Sequence, residues 1–155
     1  MKSYTDLVAD SLTNVPEIMP WDLEEKLQAD TRPLLLDIRE ADEFAAMRID
    51  GSINVPRGIL EGACDWGYDD TIPELVEARD REVVVICKSG NRSALAAETM
   101  QKMGYQNVVS LKSGLRGWND YDQPLLDKDG NTVDPDDADE FMRSKVSPEQ
   151  MGPQA

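Results

Sequence analysis

Three blocks of consecutive apolar residues punctuate an otherwise mixed chain: Leu34-Leu35-Leu36, Val83-Val84-Val85-Ile86 and Val108-Val109 with Leu111. Blocks without alternation, rich in β-branched residues, read as strands covered on both faces, as parallel strands are. The first continues through Asp37 to Ile38. Residues 53–55 give a shorter strand stopped by Pro56, and Glu17-Ile18-Met19 before Pro20 gives an edge strand.

Between these blocks the period becomes helical. Leu95, Ala96, Thr99, Met100 and Met103 recur at helical intervals, and Gly104 follows as a C-terminal cap. Residues 21–29 predict a short helix, with Asp22, Glu24 and Glu25 toward its N-terminal end and Leu23 and Leu27 facing inward. Residues 40–47 predict another, with Phe44 and Met47 inward, and residues 73–79 a third that starts at Pro73. Leu7, Val8 and Leu12 predict a helix within residues 1–14 that lies on the domain. Alternating strands and helices, with about five short strands, predict an α/β fold: a mostly parallel sheet layered between helices.

Residues 58–80 resist this reading. Cys64-Asp65-Trp66-Gly67-Tyr68-Asp69-Asp70 is acidic and aromatic without a period. Loops of this length are often functional, and Trp66 and Tyr68 either wall an active site or pack beneath the loop. Gly114 and Gly117 are expected to frame a turn, with Trp118 over the edge of the core. From Asp127 the composition turns acidic: residues 134–140 start a helix that ends near Lys145, and the last residues are expected to be disordered. The expected organisation is a helical extension over 1–15, one domain over 16–126, and an acidic tail over 127–155. Such a tail is either a solvated segment or a docking element for a basic partner.

Charge narrows the function. Lys and Arg number 16 against 31 Asp and Glu, a net charge of −15 over 155 residues. That balance repels phosphate backbones and anionic lipid surfaces, which argues against nucleic acid and membranes as partners. No apolar run is long enough to cross a bilayer, and the N-terminus lacks the apolar core of a signal peptide, so a cytoplasmic protein is expected. The chain has no histidine, which removes a Cys-His dyad, a Ser-His-Asp triad and a His-based zinc site. Its two cysteines, Cys64 and Cys87, lack metal-ligand spacing and are expected to be free. Neither metal nor organic cofactor is expected.

The chemistry concentrates in Cys87-Lys88-Ser89-Gly90-Asn91-Arg92-Ser93, where a buried strand passes through a tight loop into a helix. The first backbone N–H groups of a helix have no partner within it, and a loop curling into the helix start aims several at one point. Gly90 supplies the dihedral freedom such a curl needs. The result is an anion cradle that stabilises a thiolate, the nucleophilic form of cysteine. Lys88 and Arg92 add positive charge, and Arg92 suits a tetrahedral oxyanion held by two prongs. Asp37 ends its strand at the same sheet edge. It is expected to cap neighbouring loop amides in preference to acting as an acid or base. Arg39 is either a surface charge or the partner of Asp37. Cys64 is read as a small buried apolar group in preference to a resolving thiol.

The Cys87–Ser93 loop resembles the active-site loop of the rhodanese family of sulfurtransferases. The resemblance extends to Leu35-Leu36-Asp37-Ile38-Arg39-Glu40, to Glu43-Phe44, and to Ile49-Asp50-Gly51-Ser52 with the following Ile53-Asn54-Val55-Pro56-Arg57-Gly58. It closes with Gly104-Tyr105-Gln106-Asn107-Val108 and with Leu111 through Trp118, so that roughly residues 16 to 124 are covered. One departure is Met47-Arg48, where the family has Gly-His. The resemblance implies a three-layer rhodanese fold and transfer of a sulfane sulfur from a donor such as thiosulfate. In that scheme Cys87 carries a persulfide. The amides from Lys88 to Ser93 hold it, Lys88 and Arg92 orient the anionic donor, and Asp37 and Arg39 support the loop. The acceptor is cyanide in vitro, and a thiol or a sulfur-carrier protein otherwise. Phosphatase or arsenate-reductase chemistry in the same cradle, and a non-catalytic binding module, are the alternatives. Related phosphatases carry a loop one residue longer, whereas four residues separate Cys87 from Arg92 here.

Overall fold

In the computed structural model, which describes residues 1–153, the three apolar blocks become the middle of one sheet. Its strands are β1 (Glu17–Ile18), β2 (Leu34–Asp37), β3 (Ile53–Asn54), β4 (Val83–Ile86) and β5 (Val108–Leu111). The spatial order is β1-β5-β4-β2-β3, and every pairing is parallel. The expected mostly parallel sheet is thus parallel throughout among the described residues. β4 is central, with neighbours on both edges and all four residues buried, which is why its sequence shows no polar alternation. The register sets Asp37 beside Ile86 and Val85 beside Ser110. Asp37, Cys87 and Ser110 therefore come to the same carboxyl edge, where open parallel sheets present their ligand sites.

The helices are α1 (Tyr4–Leu12), α2 (Pro20–Leu27), α3 (Ala41–Ala46), α4 (Leu60–Ala63), α5 (Pro73–Val76), α6 (Asn91–Lys102), α7 (Gly114–Asp120) and α8 (Pro135–Met142). Side chains alternate across the pleat, so Val83, Val85 and Cys87 enter the core on one face and Val84 and Ile86 the core on the other. The first core is closed by Leu60, Ala63 and Cys64, by Leu75, and by Ala96, Ala97 and Met100 of α6. The second is closed by Leu23 of α2, Leu115 and Trp118 of α7, and Ala138 and Met142 of α8. No helix among the described residues is long and apolar enough to cross a membrane.

Three expectations need correction. First, residues 58–80 hold more than the one helix expected from Pro73: a 3-10 turn at Arg57–Ile59 and α4 precede α5, and together they bury Leu60, Ala63, Leu75 and Val76. Helices of four residues are too short to show a period, and α5 stops at Val76 rather than at residue 79. Trp66 and Tyr68, 55% and 61% exposed, do not pack beneath this segment. Second, Gly114 and Gly117 lie within α7 instead of framing a turn. Ser113 and Gly114 take positive φ, 64° and 56°, and make the sharp entry from β5 into the helix.

Third, packing does not stop at residue 126. Leu126 forms antiparallel bridges with Arg48 and Thr132, and α8 is capped by Asp134, whose carboxylate accepts the N–H of Asp136 at 2.9 Å. The apolar stripe of α8 reaches the second core through Ala138 and Met142, and the helix ends at Met142, short of Lys145. Of the terminal residues expected to be disordered, Pro148–Met151 form a 3-10 turn, and 154–155 lie outside the described residues.

Candidate active site

β4 delivers Cys87 to the sheet edge with its side chain 1% exposed. Gly90 then turns the chain at φ +94° and becomes the N-cap of α6. That left-handed step aims two amides back at the sulfur. The Gly90 N–H donates to Cys87 Sγ at 3.0 Å and the Ser93 N–H at 3.3 Å. The thiol in turn donates to Ser93 Oγ at 3.3 Å, and Ser93 Oγ meets Ser110 Oγ of β5 at 2.7 Å. Both serines are fully buried. The sulfur thus faces donors that suit a sulfur anion, with hydroxyls that reorient as its proton leaves.

The other side of the loop is fastened to α7. Leu115 N–H donates to Cys87 O at 2.9 Å and Arg116 N–H to Lys88 O at 3.0 Å. These are orphan amides of a helix start, here satisfied by the loop carbonyls. The carbonyls are thereby drawn away from the sulfur, leaving amides to face it. The approach is close enough that a Cβ on Gly114 would sit 2.3 Å from Cys87 O.

Arg92 leaves α6 in the other direction. Its two terminal nitrogens donate to Glu43 Oε2 and Oε1 of α3, each at 3.0 Å. Partial burial alone would push the Glu43 carboxyl up. The hydrogen bonds from Arg92 and from the Glu40 N–H, with the charges of Arg92 and Arg39, outweigh it and hold the carboxyl below its ordinary range. Lys88 is half-buried and makes no ion pair among the described residues, and Ser89 is exposed. Asn91 is the first residue of α6.

Asp37 and Arg39 form a buried pair, 0% and 1% exposed. Asp37 Oδ1 accepts the Arg39 N–H and Nε–H at 3.0 Å, and Oδ2 accepts from Nη2 at 2.9 Å. Arg39 also donates to Met47 O at 2.6 Å, and Asn54 donates to the carbonyls of Asp37 and Arg39. Arg39 is therefore the partner of Asp37, and the pair ties β2 to the end of α3 and to β3. Both Asp37 oxygens are occupied, and neither is bonded to Cys87. Cys64 is buried in the first core, and burial pushes its thiol up, with Tyr105 and Arg79 acting the other way.

Sequence reasoning missed Ser110, Glu43 and the Ser113-Gly114 entry to α7. Ser110 had a signal: it is the one polar position of Val108-Val109-Ser110-Leu111. Tyr4 of α1 also reaches this region: burial raises its phenol, the Cys87 sulfur adds to that, and Arg92 opposes it.

A cysteine cradled by the amides of a helix start, at the carboxyl edge of a five-stranded parallel sheet, defines a class, and the family model described as "Rhodanese-like domain" matches residues 20–121. The chain belongs to the rhodanese-like domain family. It is 32% identical over 110 residues to the putative sulfur carrier protein YrkF of Bacillus subtilis, covering 71% of this chain and 54% of YrkF. It is 32% identical over 119 residues to a putative mitochondrial thiosulfate sulfurtransferase of Schizosaccharomyces pombe, covering 71% of this chain and 84% of that one. The chain thus spans only about half the length of YrkF. Among solved structures, a protein of unknown function from Rhodopseudomonas palustris, described as a possible tyrosine phosphatase, superimposes with a TM-score of 0.70 at 28% identity, over 81% of this chain and 95% of that one. The thiosulfate sulfurtransferase of Pseudomonas aeruginosa shares the fold, with a TM-score of 0.65 at 24% identity, over 90% of this chain and 26% of that one.

Proposed function

We propose that this protein is a sulfurtransferase whose Cys87 carries sulfur as a persulfide. The carrying observation is the pair of amides, from Gly90 and Ser93, that converge on Cys87 Sγ. In the first step the Cys87 thiolate attacks the outer sulfur of thiosulfate. The new S–S bond forms as the bond to the sulfonate sulfur breaks, and sulfite leaves with that electron pair. In the second step a thiophile such as cyanide attacks the outer persulfide sulfur, thiocyanate leaves, and the Cys87 thiolate returns. Sulfite is a stable anion, so the first step needs no general acid. Amides from Lys88 to Ser93 hold the charge on the transferred sulfur, and Lys88 draws the anionic donor toward it.

The acceptor beyond cyanide is a thiol or a sulfur-carrier protein, a reading supported by relatives named as sulfur carrier and sulfurtransferase proteins. A thiol-based cycle with free Cys64 and Cys87 suits a reducing compartment, the cytoplasm.

The description of the Rhodopseudomonas palustris protein favours a second reading, phosphatase chemistry in the same cradle. Against it, both terminal nitrogens of Arg92 are engaged by Glu43 rather than open to clamp a phosphoryl group. The loop also carries no acid for an alkoxide leaving group. Steady-state assays separate the two readings. Thiocyanate formation from thiosulfate and cyanide, abolished in Cys87→Ser, is expected. Cys87-dependent hydrolysis of an aryl phosphate that outpaces thiosulfate consumption would replace the first reading with the second.

A further inference from the structure

α1 sits on α6, and its placement bears on the site. Val8 and Ser11 are its buried residues, and Val15 just beyond enters the first core. Gln101 Nε2 of α6 donates to Asn14 O at 2.9 Å, tying the far ends of the two segments together. Tyr4 precedes Asn14 by ten residues and Arg92 precedes Gln101 by nine. Tyr4 lies one turn before Val8 on the face of α1 that packs on α6, at the end of α1 away from that tie, as Arg92 is at the end of α6 away from it, in its first turn. That is the turn whose Ser93 N–H faces the sulfur. The charges felt by the phenol, Cys87 and Arg92, agree with this position.

Tyr4 is held there firmly. It is the first helical residue of α1 and follows a complete capping box: Ser3 Oγ accepts the Asp6 N–H at 3.1 Å, and the Asp6 carboxylate accepts the Ser3 N–H at 2.9 Å. Its side chain is 52% exposed, and its hydroxyl makes no hydrogen bond among the described residues. Burial and the nearby sulfur hold the phenol above its ordinary range, so at neutral pH it is a hydrogen-bond donor without charge. Meanwhile Arg92, the obvious anion clamp, is engaged by Glu43.

We propose that Tyr4 is a specificity residue of this site, its hydroxyl donating a hydrogen bond to the sulfonate head of the sulfur donor while the outer sulfur faces Cys87. This rests on the sulfurtransferase reading. The hydroxyl touches the head and not the reacting sulfur, so it binds ground state and transition state alike. Uniform binding of that kind lowers KM without raising kcat. It acts on the first half-reaction only, because cyanide has no such head.

Steady-state sulfur transfer by the full chain tests the proposal. Tyr4→Phe keeps the ring and removes only the hydroxyl. It is expected to raise the thiosulfate KM about 3- to 10-fold, the range of one hydrogen bond to an anion at a partly open site, with kcat and the cyanide KM unchanged. Val8→Asp, which unseats α1 while leaving the phenol intact, is expected to raise the same KM at least as much. An unchanged thiosulfate KM in Tyr4→Phe, or a fall in kcat alone, overturns the role of Tyr4 and leaves the sulfurtransferase reading standing. An unmodified protein that transfers no sulfur overturns that reading, and the proposal with it.

Discussion

Arg92 of α6 and Glu43 of α3 form a two-pronged ion pair, 3.0 Å at each prong, beside the loop that holds Cys87. The pair fixes the start of α6, and with it the Ser93 amide, against a separate element. The folded Glu43 carboxyl titrates below the unfolded one. Its contribution to stability is therefore complete above the ordinary carboxylate pKa of about 4.3 and is lost as pH falls through the lower folded value. Glu43→Gln should cost about 1 kcal/mol at pH 7 and progressively less as the medium is acidified below that range. Denaturant titrations at both ends of the range check this; an equal cost at acid pH would show that the carboxylate charge contributes nothing.

The fit between Gly114 and Cys87 is stricter. Any Cβ at residue 114 must displace the Cys87 carbonyl, because the gap would be 2.3 Å, and the φ of +56° disfavours a side chain there as well. Gly114→Ala should cost at least about 2 kcal/mol and slow sulfur transfer, while Gly58→Ala, with no neighbour within 4 Å and no positive φ, should leave transfer unchanged. Thermal melts and assays of the two variants make the comparison.

The centre of the fold was open to reading because it is written in local pattern. Val83–Ile86 could only be a strand buried on both faces, and Gly90 marked the turn that follows it. The roles of Arg92, Asp37 and Arg39 were less open. Arg92 takes its partner, Glu43, from α3, 49 residues away in sequence, whereas Asp37 and Arg39 pair with each other and the carbonyl of Met47, at the end of α3, completes the buried place of Arg39. α4 was hidden because four residues make barely one helical turn, whereas Pro73 marked the start of α5 but not its end. The helix of α8 was legible from residue 134, but its packing was hidden by its acidity: Asp136, Asp137, Asp139 and Glu140 mask the stripe of Ala138 and Met142.

That stripe leads to the next expectation. Met142 is 1% exposed and packs in the second core with Trp118 and Leu125. Met142→Ala should destabilise the protein by about 2–4 kcal/mol, and removing residues 127–155 should cost more. Melting curves test this, and a truncated chain of unchanged midpoint would show that α8 adds nothing to the fold.

The buried pair of Asp37 and Arg39 should be the most sensitive polar contact. Asp37→Asn leaves the guanidinium charge buried without a counter-ion, at a cost of about 3–5 kcal/mol. Replacing both residues by apolar ones should cost less than the single change. The double-mutant cycle reads the coupling directly, and additive costs would contradict it.

The central claim is that Cys87 carries the transferred sulfur, and intact-mass spectrometry after incubation with thiosulfate tests it most directly. The unmodified protein and Cys64→Ser should each gain one sulfur atom, removable by a thiol reductant, and Cys87→Ser should gain none. An adduct that persists in Cys87→Ser, or no adduct on the unmodified protein, would contradict the account.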